Sequence, residues 1–383
     1  MCDLRVRPIV CVNSVLAIPA AISLIQGLRN AFRGSYDFQW SGAHLTLLRV
    51  DPYHLFLIHD PQHLMLLSQV PNYLHELYIL FLPLGWLSFP VAKSIWAVLN
   101  CAFAVLAPLV LGRIYALEKA QTLLIFLLLV ASTPFRIVLG GGQLSMFELL
   151  LFSLVFYAEK QTRELKQGIF LGLSYSKYSF SPVVFLYFAF RRRFRLLAIS
   201  LIPPLLSLLA MWFLVRGNIV TLATEPFLVN RTGITDGLGD LMALTRTTFK
   251  GVVHGSALGL LTYIFAISAG TAYAFFLSRR GDVSPQFTAP VLAVASLAFF
   301  PHLTYDYVFL IIPLAACLSG PMQRAKALVL TEIALLWFAI RLVPIDTLDR
   351  MAMAQMVIFP MLLVMLYLLG RREFSTSTLI PGS

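Results

Sequence analysis

The sequence predicts an all-α polytopic membrane protein, and composition is the first reason. Of its 383 residues, 59% are hydrophobic and 12% are charged, and the mean hydropathy is +0.82. Soluble domains carry about 25% charged residues, so a soluble fold is excluded. Apolar runs of membrane-spanning length recur from end to end. They are continuous rather than alternating, which indicates helices and not a β-barrel.

The distribution of the basic residues is the second reason. The formal net charge is +11, and Lys and Arg fall in short loops between the apolar runs, as the positive-inside rule describes. Nucleic acid is therefore not an expected partner. The cysteines are isolated and fall mostly in apolar runs, which is typical of small buried hydrophobes and not of disulfide or metal frameworks. They are Cys2, Cys11, Cys101 and Cys317.

We expect one integral-membrane domain over residues 1–374, built from about 10–12 transmembrane helices, and a disordered tail at 375–383. The first helix is expected at about 8–28, retained rather than cleaved as a signal peptide. A long first extracytoplasmic loop follows at about 29–75, with an interfacial helix within it. The next apolar segment, 77–89, is short for a full crossing, and we favour a segment that only dips into the membrane.

Later apolar runs alternate with basic loops in a regular order. Residues 168–190 hold a polar break flanked by basic clusters at both ends, which predicts two half-helices that meet inside the membrane. A second extracytoplasmic loop is expected at about 216–256. Single helices are expected at 90–112, 121–138, 144–158, 196–215, 257–278, 288–300, 307–319, 327–343 and 351–369.

Four polar residues from separate parts of the chain reach the outer side in this topology: Asp37, Gln143, His302 and Asp306. Asp37 is either a general base at the membrane–water boundary or a solvated loop acid. His302 is either a donor to an anionic group, titrating near neutral pH, or the cap of a helix end. Asp306 lies four residues further on, so it either orients His302 or caps a helix.

The remaining candidates carry weaker signals. Lys177 interrupts an apolar stretch, which is a functional hypothesis in a membrane protein, although a snorkelling lysine is the alternative. Gln143 follows three glycines that could equally serve close helix packing, and Glu148 should face protein or a cavity. The loops add cations that could meet lipid phosphate and aromatics expected mostly in an interfacial belt. These are Arg231, Arg246, Lys250, Tyr36, Trp40 and Tyr53.

No metal site is expected. Four histidines share the first loop, but their spacing and the lack of nearby cysteines argue against a zinc cluster. They are His44, His54, His59 and His63. A Walker motif, a dinucleotide fingerprint and a nucleophile elbow are also missing from the sequence.

Several segments in order resemble the polyprenol-phosphate-mannose-dependent mannosyltransferase family, glycosyltransferase family 87 of the GT-C superfamily. They span about residues 36–313. The sequence departs from the family pattern at Tyr73-Leu74-His75-Glu76, where members often have a Tyr-Pro-Pro entry. The matching segments are Asp37 with Asp51-Pro52-Tyr53; Asn72-Tyr73 and Leu82-Pro83-Leu84; Phe89-Pro90-Val91-Ala92 with Trp96 and Asn100; Gly142-Gln143; Gly168 to Leu173 with Lys177 and Pro182; and Pro301-His302 with Tyr305-Asp306.

The resemblance implies a multi-pass GT-C-type enzyme of the bacterial inner or plasma membrane. It would transfer a hexose, mannose above all, from a polyprenyl-phosphate sugar to a lipid-linked or glycan acceptor on the outer face, without a metal or other cofactor. Asp37 would be the base. Donor or phosphate contacts are expected from His302, Asp306, Gln143, Lys177, Arg231, Arg246 and Tyr53.

Two other classes of function remain open at this point. A transporter or flippase of lipid-linked sugars would be indicated by inverted repeats and charged pairs at mid-membrane. Only Lys177 and Glu148 suggest such charges, and no repeat is visible. A polymerase or ligase of surface polysaccharide would be expected to carry a large outer loop rich in Arg and His, whereas the second loop here is modest.

Overall fold

A computed structural model describes residues 6–66, 69–177, 180–233, 248, 256–280, 284–300, 302–320 and 323–370. Within these ranges the chain is built from helices joined by turns, and no β-strand occurs in them. The prediction of an all-α polytopic protein is therefore confirmed.

The α-helices follow the apolar runs closely, since backbone groups in an apolar environment must bond within their own segment. Their bounds are α1 Val6–Arg33, α2 Trp40–Leu47, α3 Pro52–Leu57, α4 His75–Gly85, α5 Phe89–Tyr115, α6 Lys119–Ala131, α7 Thr133–Gly141, α8 Ser145–Lys160, α9 Glu164–Leu173, α10 Ser181–Phe190, α11 Phe194–Ser200, α12 Ile202–Val215, α13 Ile219–Gly233, α14 Ser256–Ser278, α15 Pro285–Phe299, α16 Ile311–Leu318, α17 Arg324–Ala334 and α18 Thr347–Gly370.

Four helical stretches among the described residues are long and apolar enough to cross a membrane: α1, α5, α11 joined to α12, and α18. The bent pair α6–α7 would make a fifth. Shorter apolar helices accompany them, including α10, α15 and Thr304–Leu318. The chain is thus a multi-pass membrane protein, while the expected total of about 10–12 crossings stays a prediction.

The connection between α1 and α4 contains helices, as predicted for the first loop. Of its aromatic side chains, Tyr36 is exposed, as a belt residue would be, but Trp40 and Tyr53 are buried. Trp40 is 7% exposed and donates from Nε1 to the carbonyl oxygens of Leu84 and Leu87, both at 3.1 Å. Phe38 stacks on Trp96, with ring centroids 5.7 Å apart. The expectation of a belt fails for Trp40 because these rings form a second hydrophobic core that holds the loop against α4 and α5.

Two interruptions decide the course of the chain near the site. The predicted single helix over 121–138 is wrong: α6 and α7 meet at 62°. Ser132 ends α6 and its hydroxyl accepts the Phe135 amide at 3.3 Å, and Pro134 starts the new helix, as capping residues and Pro at N1 do elsewhere. The predicted break in 168–190 is present, with a 3₁₀ turn at Ser174–Ser176 between α9 and α10.

The main core surrounds α15. All thirteen residues from Phe287 to Phe299 are buried, so this helix is apolar on every side and is enclosed by neighbours. Phe309, from the segment that follows, stacks on Phe180 with centroids 3.6 Å apart. The break after α9 is therefore packed directly against the chain around residue 306.

Close helix packing predicts one sensitive glycine. A Cβ at Gly172 in α9 would lie 2.4 Å from the Ser200 carbonyl oxygen of α11, a backbone atom that cannot move alone. We expect Gly172→Ala to lower stability by about 1–3 kcal/mol through overpacking, measured as a fall in thermal midpoint in detergent. Gly217→Ala is the control, because its nearest atom would be 3.6 Å away. Equal midpoints for the two variants would contradict the packing argument.

Candidate functional site

Asp37 is fixed where the turn after α1 meets the end of α7. Its backbone amide donates to the Gly141 carbonyl oxygen at 3.0 Å. Gly142 has φ +73°, and a Cβ there would lie 2.8 Å from the Phe38 Cβ. The glycine run is therefore needed at this position both for a left-handed backbone and for close approach of the Asp37 turn.

The Asp37 carboxyl combines accessibility with partial burial. The residue is exposed to solvent, while the protein around it raises the pKa of its carboxyl above the usual range. The Gln143 side-chain amide lies close to the carboxyl group and opposes that shift by favouring the charged form. An accessible carboxylate with a raised pKa can take a proton from a hydroxyl group, which is what a general base must do.

A tryptophan side chain holds the backbone next to Gln143. Trp96 of α5 donates from Nε1 to the Gly142 carbonyl oxygen at 2.9 Å. The same indole stacks on Phe38, the neighbour of Asp37. Trp96 thus supports both sides of the Asp37–Gln143 pair and limits their relative movement.

A buried ion pair is bonded to Ser145, the residue two positions after Gln143. Lys177 Nζ donates to Asp306 Oδ1 and also, at 3.0 Å, to Ser145 Oγ. Ser145 Oγ donates in turn to Asp306 Oδ1 at 2.5 Å, and the Leu303 amide donates to Asp306 Oδ2 at 3.2 Å. Lys177 also lies over the Tyr305 ring, 4.9 Å from its centroid. Charges this far from water persist only when paired.

Further acidic groups lie beside this pair. Ser176 Oγ donates to Glu148 Oε1 at 2.6 Å, and Glu148 is 1% exposed, so it faces protein as predicted. Glu148 is within electrostatic range of Lys177, Asp306 and Glu76. Glu148 Oε2 and Glu76 Oε1 are buried without a hydrogen-bond partner in the described part of the chain. Three carboxyl groups, those of Asp306, Glu148 and Glu76, thus lie in the region of the Lys177 side chain.

His302 is near these groups but does not bond to Asp306, so the expected orientation of His302 by Asp306 is wrong. Its Nδ1 donates to the Phe300 carbonyl oxygen at 2.9 Å, and Gln355 Nε2 approaches its Nε2 at 3.5 Å. Burial lowers the pKa of His302 to about 4, so the ring is neutral at physiological pH. The expected titration near neutral pH is not supported, because only 3% of the residue is exposed.

The other predicted residues are not part of this cluster. Tyr53 is fully buried, its hydroxyl donates to the Tyr73 carbonyl oxygen at 2.7 Å, and its ring packs on Tyr78. The expected contact of Tyr53 with substrate is therefore not available, because the aromatic core takes up its whole surface. Arg231 lies on α13, where only the backbone is described, and Arg246 and Lys250 lie outside the described residues.

Ser145 was missed by the sequence analysis, although it contacts both charges of the ion pair. Its position two residues after Gln143, at the first turn of α8, was the only available signal. As to metals, no group of three His, Cys, Asp or Glu side chains suited to hold an ion occurs in the part of the chain that the structure describes. Independence from metal ions remains a prediction.

The ion pair predicts a non-additive pattern of stability. Removing one charge leaves the other buried and unpaired, which costs about 3–5 kcal/mol. We therefore expect Lys177→Met and Asp306→Asn each to lower the thermal midpoint strongly in detergent. The double variant should lose less than the sum of the two single losses.

The control for this cycle is Glu164→Gln. Glu164 pairs with Arg193 at 3.4 Å, and both side chains are partly exposed, so the loss should be at most about 1 kcal/mol. Strictly additive losses for Lys177→Met and Asp306→Asn would contradict direct pairing.

The comparisons with known proteins give one family. The model of glycosyltransferase family 87 matches residues 77–301, which is more than half of the chain. The match covers Gln143 and Lys177 and begins after Asp37. No curated protein and no solved structure matches the chain. The fold, the membrane helices and this match together assign the chain: it belongs to glycosyltransferase family 87 and is a membrane glycosyltransferase.

Proposed function

We propose that the enzyme transfers a hexose, mannose in the first instance, from a polyprenyl-phosphate sugar to a glycolipid or glycan acceptor. The reaction would take place on the extracytoplasmic face of the bacterial inner or plasma membrane. The observation that carries the proposal is Asp37, an accessible carboxylate with a raised pKa and the amide side chain of Gln143 close to it. The family match supports the reaction class.

In the proposed step, an acceptor hydroxyl oxygen attacks the anomeric carbon of the donor sugar. A new C–O bond forms as the bond between that carbon and the lipid phosphate oxygen breaks. Asp37 takes the hydroxyl proton, and the polyprenyl phosphate leaves with the bonding electrons. A phosphate is a good leaving group and needs little acid assistance, so one carboxylate suffices. Attack opposite the leaving group inverts the anomeric centre.

The structure supports an indirect role for the buried cluster. Lys177 is bonded to Asp306 and Ser145, so its charge is already compensated. Ser145 in turn is two residues from Gln143. We propose that the ion pair positions the start of α8, and through it Gln143, beside the base. Contact of Lys177, His302, Arg231 or Arg246 with the donor phosphate remains part of the hypothesis.

Replacing the base is the primary test. Asp37→Asn keeps the size and polarity of the side chain but cannot accept the proton, so transfer from a short-chain polyprenyl-phosphate mannose should fall about 10²–10⁴-fold. Asp60→Asn is the matched control: it lies in the same connection, and its carboxylate caps the Leu64 and Met65 amides. Unchanged transfer by Asp37→Asn would remove Asp37 from the mechanism. If the wild type transferred no hexose from any polyprenyl-phosphate donor, the alternative function as a transporter of lipid-linked sugars would be favoured.

The amide of Gln143 beside Asp37 predicts a shift in the pH profile. A base must be ionised, so kcat/KM is retained above the Asp37 pKa and lost as pH falls through it. Because burial raises that pKa and Gln143 lowers it, Gln143→Leu should move the acidic limb to higher pH. Gln161→Leu, at the other end of α8, should leave the limb in place. A limb shifted to lower pH in Gln143→Leu would contradict the assignment.

A further inference from the structure

A small cavity lies between α3, in the connection that also holds Asp37, and the start of α13. Its volume is about 230 Å³, below the roughly 300–1,000 Å³ of sites for drug-sized ligands. It has room for one small ring but not for an extended chain. The lining consists of Asp51, His54, Val215, Gly217, Asn218, Thr221, Leu222 and Glu225.

Glu225 forms the buried wall of this cavity and is incompletely bonded. The residue is 4% exposed. His54 Nδ1 donates to Glu225 Oε1 at 3.1 Å, but Oε2 is buried and no donor among the described residues reaches it. A buried acceptor without a donor is costly. A ligand that enters the cavity and supplies a donor would remove that cost.

The neighbouring carboxyl cannot supply this donor when it is ionised. Asp51 lies within hydrogen-bonding range of Glu225, and its Oδ1 already accepts the Tyr53 and His54 amides at 2.9 and 3.3 Å. Burial, with Asp51 as a further cause, raises the pKa of Glu225 to about 7. Two acidic groups thus face each other at an open cavity, and each has acceptor capacity left.

The chemistry of the walls selects the class of ligand. The carboxyl pair repels anions, so a phosphate group does not fit. A metal-ion site is not indicated, since no group of three His, Cys, Asp or Glu side chains suited to hold an ion occurs among the described residues. The rim offers the amide of Asn218 and the hydroxyl of Thr221, both exposed, and apolar surface from Val215 and Leu222. Adjacent hydroxyl donors on a compact ring with an apolar face, as in a sugar, match this lining.

We propose that this cavity is an acceptor subsite, in which Asp51 and Glu225 accept hydrogen bonds from hydroxyl groups of one sugar ring of the acceptor glycan. The inference rests on the proposed transfer to a glycan acceptor. The cavity is separate from Asp37 but connected to it: Tyr53, next to Asp51, packs on Tyr78, whose hydroxyl donates to Gln39 at 3.2 Å. A subsite here would bind the acceptor at a point distant from its reacting hydroxyl group.

Binding can be tested without catalysis. Saturation-transfer NMR on the detergent-solubilised full chain, with a panel of methyl hexopyranosides as probes, should detect at least one ligand. Glu225→Gln should weaken binding of that ligand about tenfold or more, because it replaces one acceptor oxygen of the carboxyl group by an amide donor at almost constant size. Thr221→Val should weaken it less. Thr224→Ala is the control on the same helix, since its hydroxyl bonds only to its own helix backbone, at Val220 and Thr221.

The same variants separate this inference from the proposed function. Asp37→Asn should bind the methyl hexoside as the wild type does, and Glu225→Gln should raise KM for acceptor while KM for donor is unchanged. A wild type that transfers no hexose yet binds a methyl hexoside through Glu225 would overturn only the proposed function. The subsite would be overturned if the wild type bound no methyl hexoside, or if Glu225→Gln and Thr221→Val both left binding unchanged. It would also be overturned if Ca²⁺, instead of sugar, stabilised the protein in a Glu225-dependent way.

Discussion

The contact on which the site depends is the buried ion pair of Lys177 and Asp306, with Ser145 bonded to both. It joins three distant parts of the chain: the break between α9 and α10, the start of α8, and the turn after α15. Either charge alone in an apolar interior would strongly destabilise the fold. Together they hold the start of α8, two residues after Gln143, and the Gln143 side chain lowers the pKa of Asp37. The buried pair is thus linked through a short stretch of backbone to a group at the protein surface.

The site has two layers with different requirements: a surface layer, Asp37, and an inner layer, the ion pair of Lys177 and Asp306. In the proposed mechanism the surface layer needs access, because a base must meet its substrate, and Asp37 is exposed while Lys177 is 6% exposed. The inner layer needs exclusion of water, because the ion pair is strong only where the dielectric is low. On the Asp37 side, Trp96 packs its ring against Phe38 and donates from its nitrogen to the Gly142 carbonyl oxygen. This aromatic residue therefore holds the backbone on both sides of the exposed carboxyl group.

Hydrophobic runs predicted most of the fold, because the cost of unbonded backbone in lipid leaves helices as the only solution for each run. The bend at Ser132 was missed because both of its sides are apolar, so hydropathy does not register it. The partners of charged groups were predicted less well. Proximity in sequence suggested that Asp306 orients His302, whereas its partner is Lys177, 129 residues away. Long-range pairing depends on packing, and a single sequence does not encode it in any local pattern.

The distance along the chain between Lys177 and Asp306 has a consequence for biosynthesis. A ribosome completes Lys177 well before the segment that neutralises it, and 129 residues separate the two. Until Asp306 is made, Lys177 lacks the ion-pair partner that it has in the finished protein, although Ser145 and Glu148 beside it are already present. The hydrogen bond from Ser296 of α15 to the Phe180 carbonyl oxygen, at 3.1 Å, also forms only after α15 has been made. Final packing at the break between α9 and α10 therefore waits for the C-terminal part of the chain.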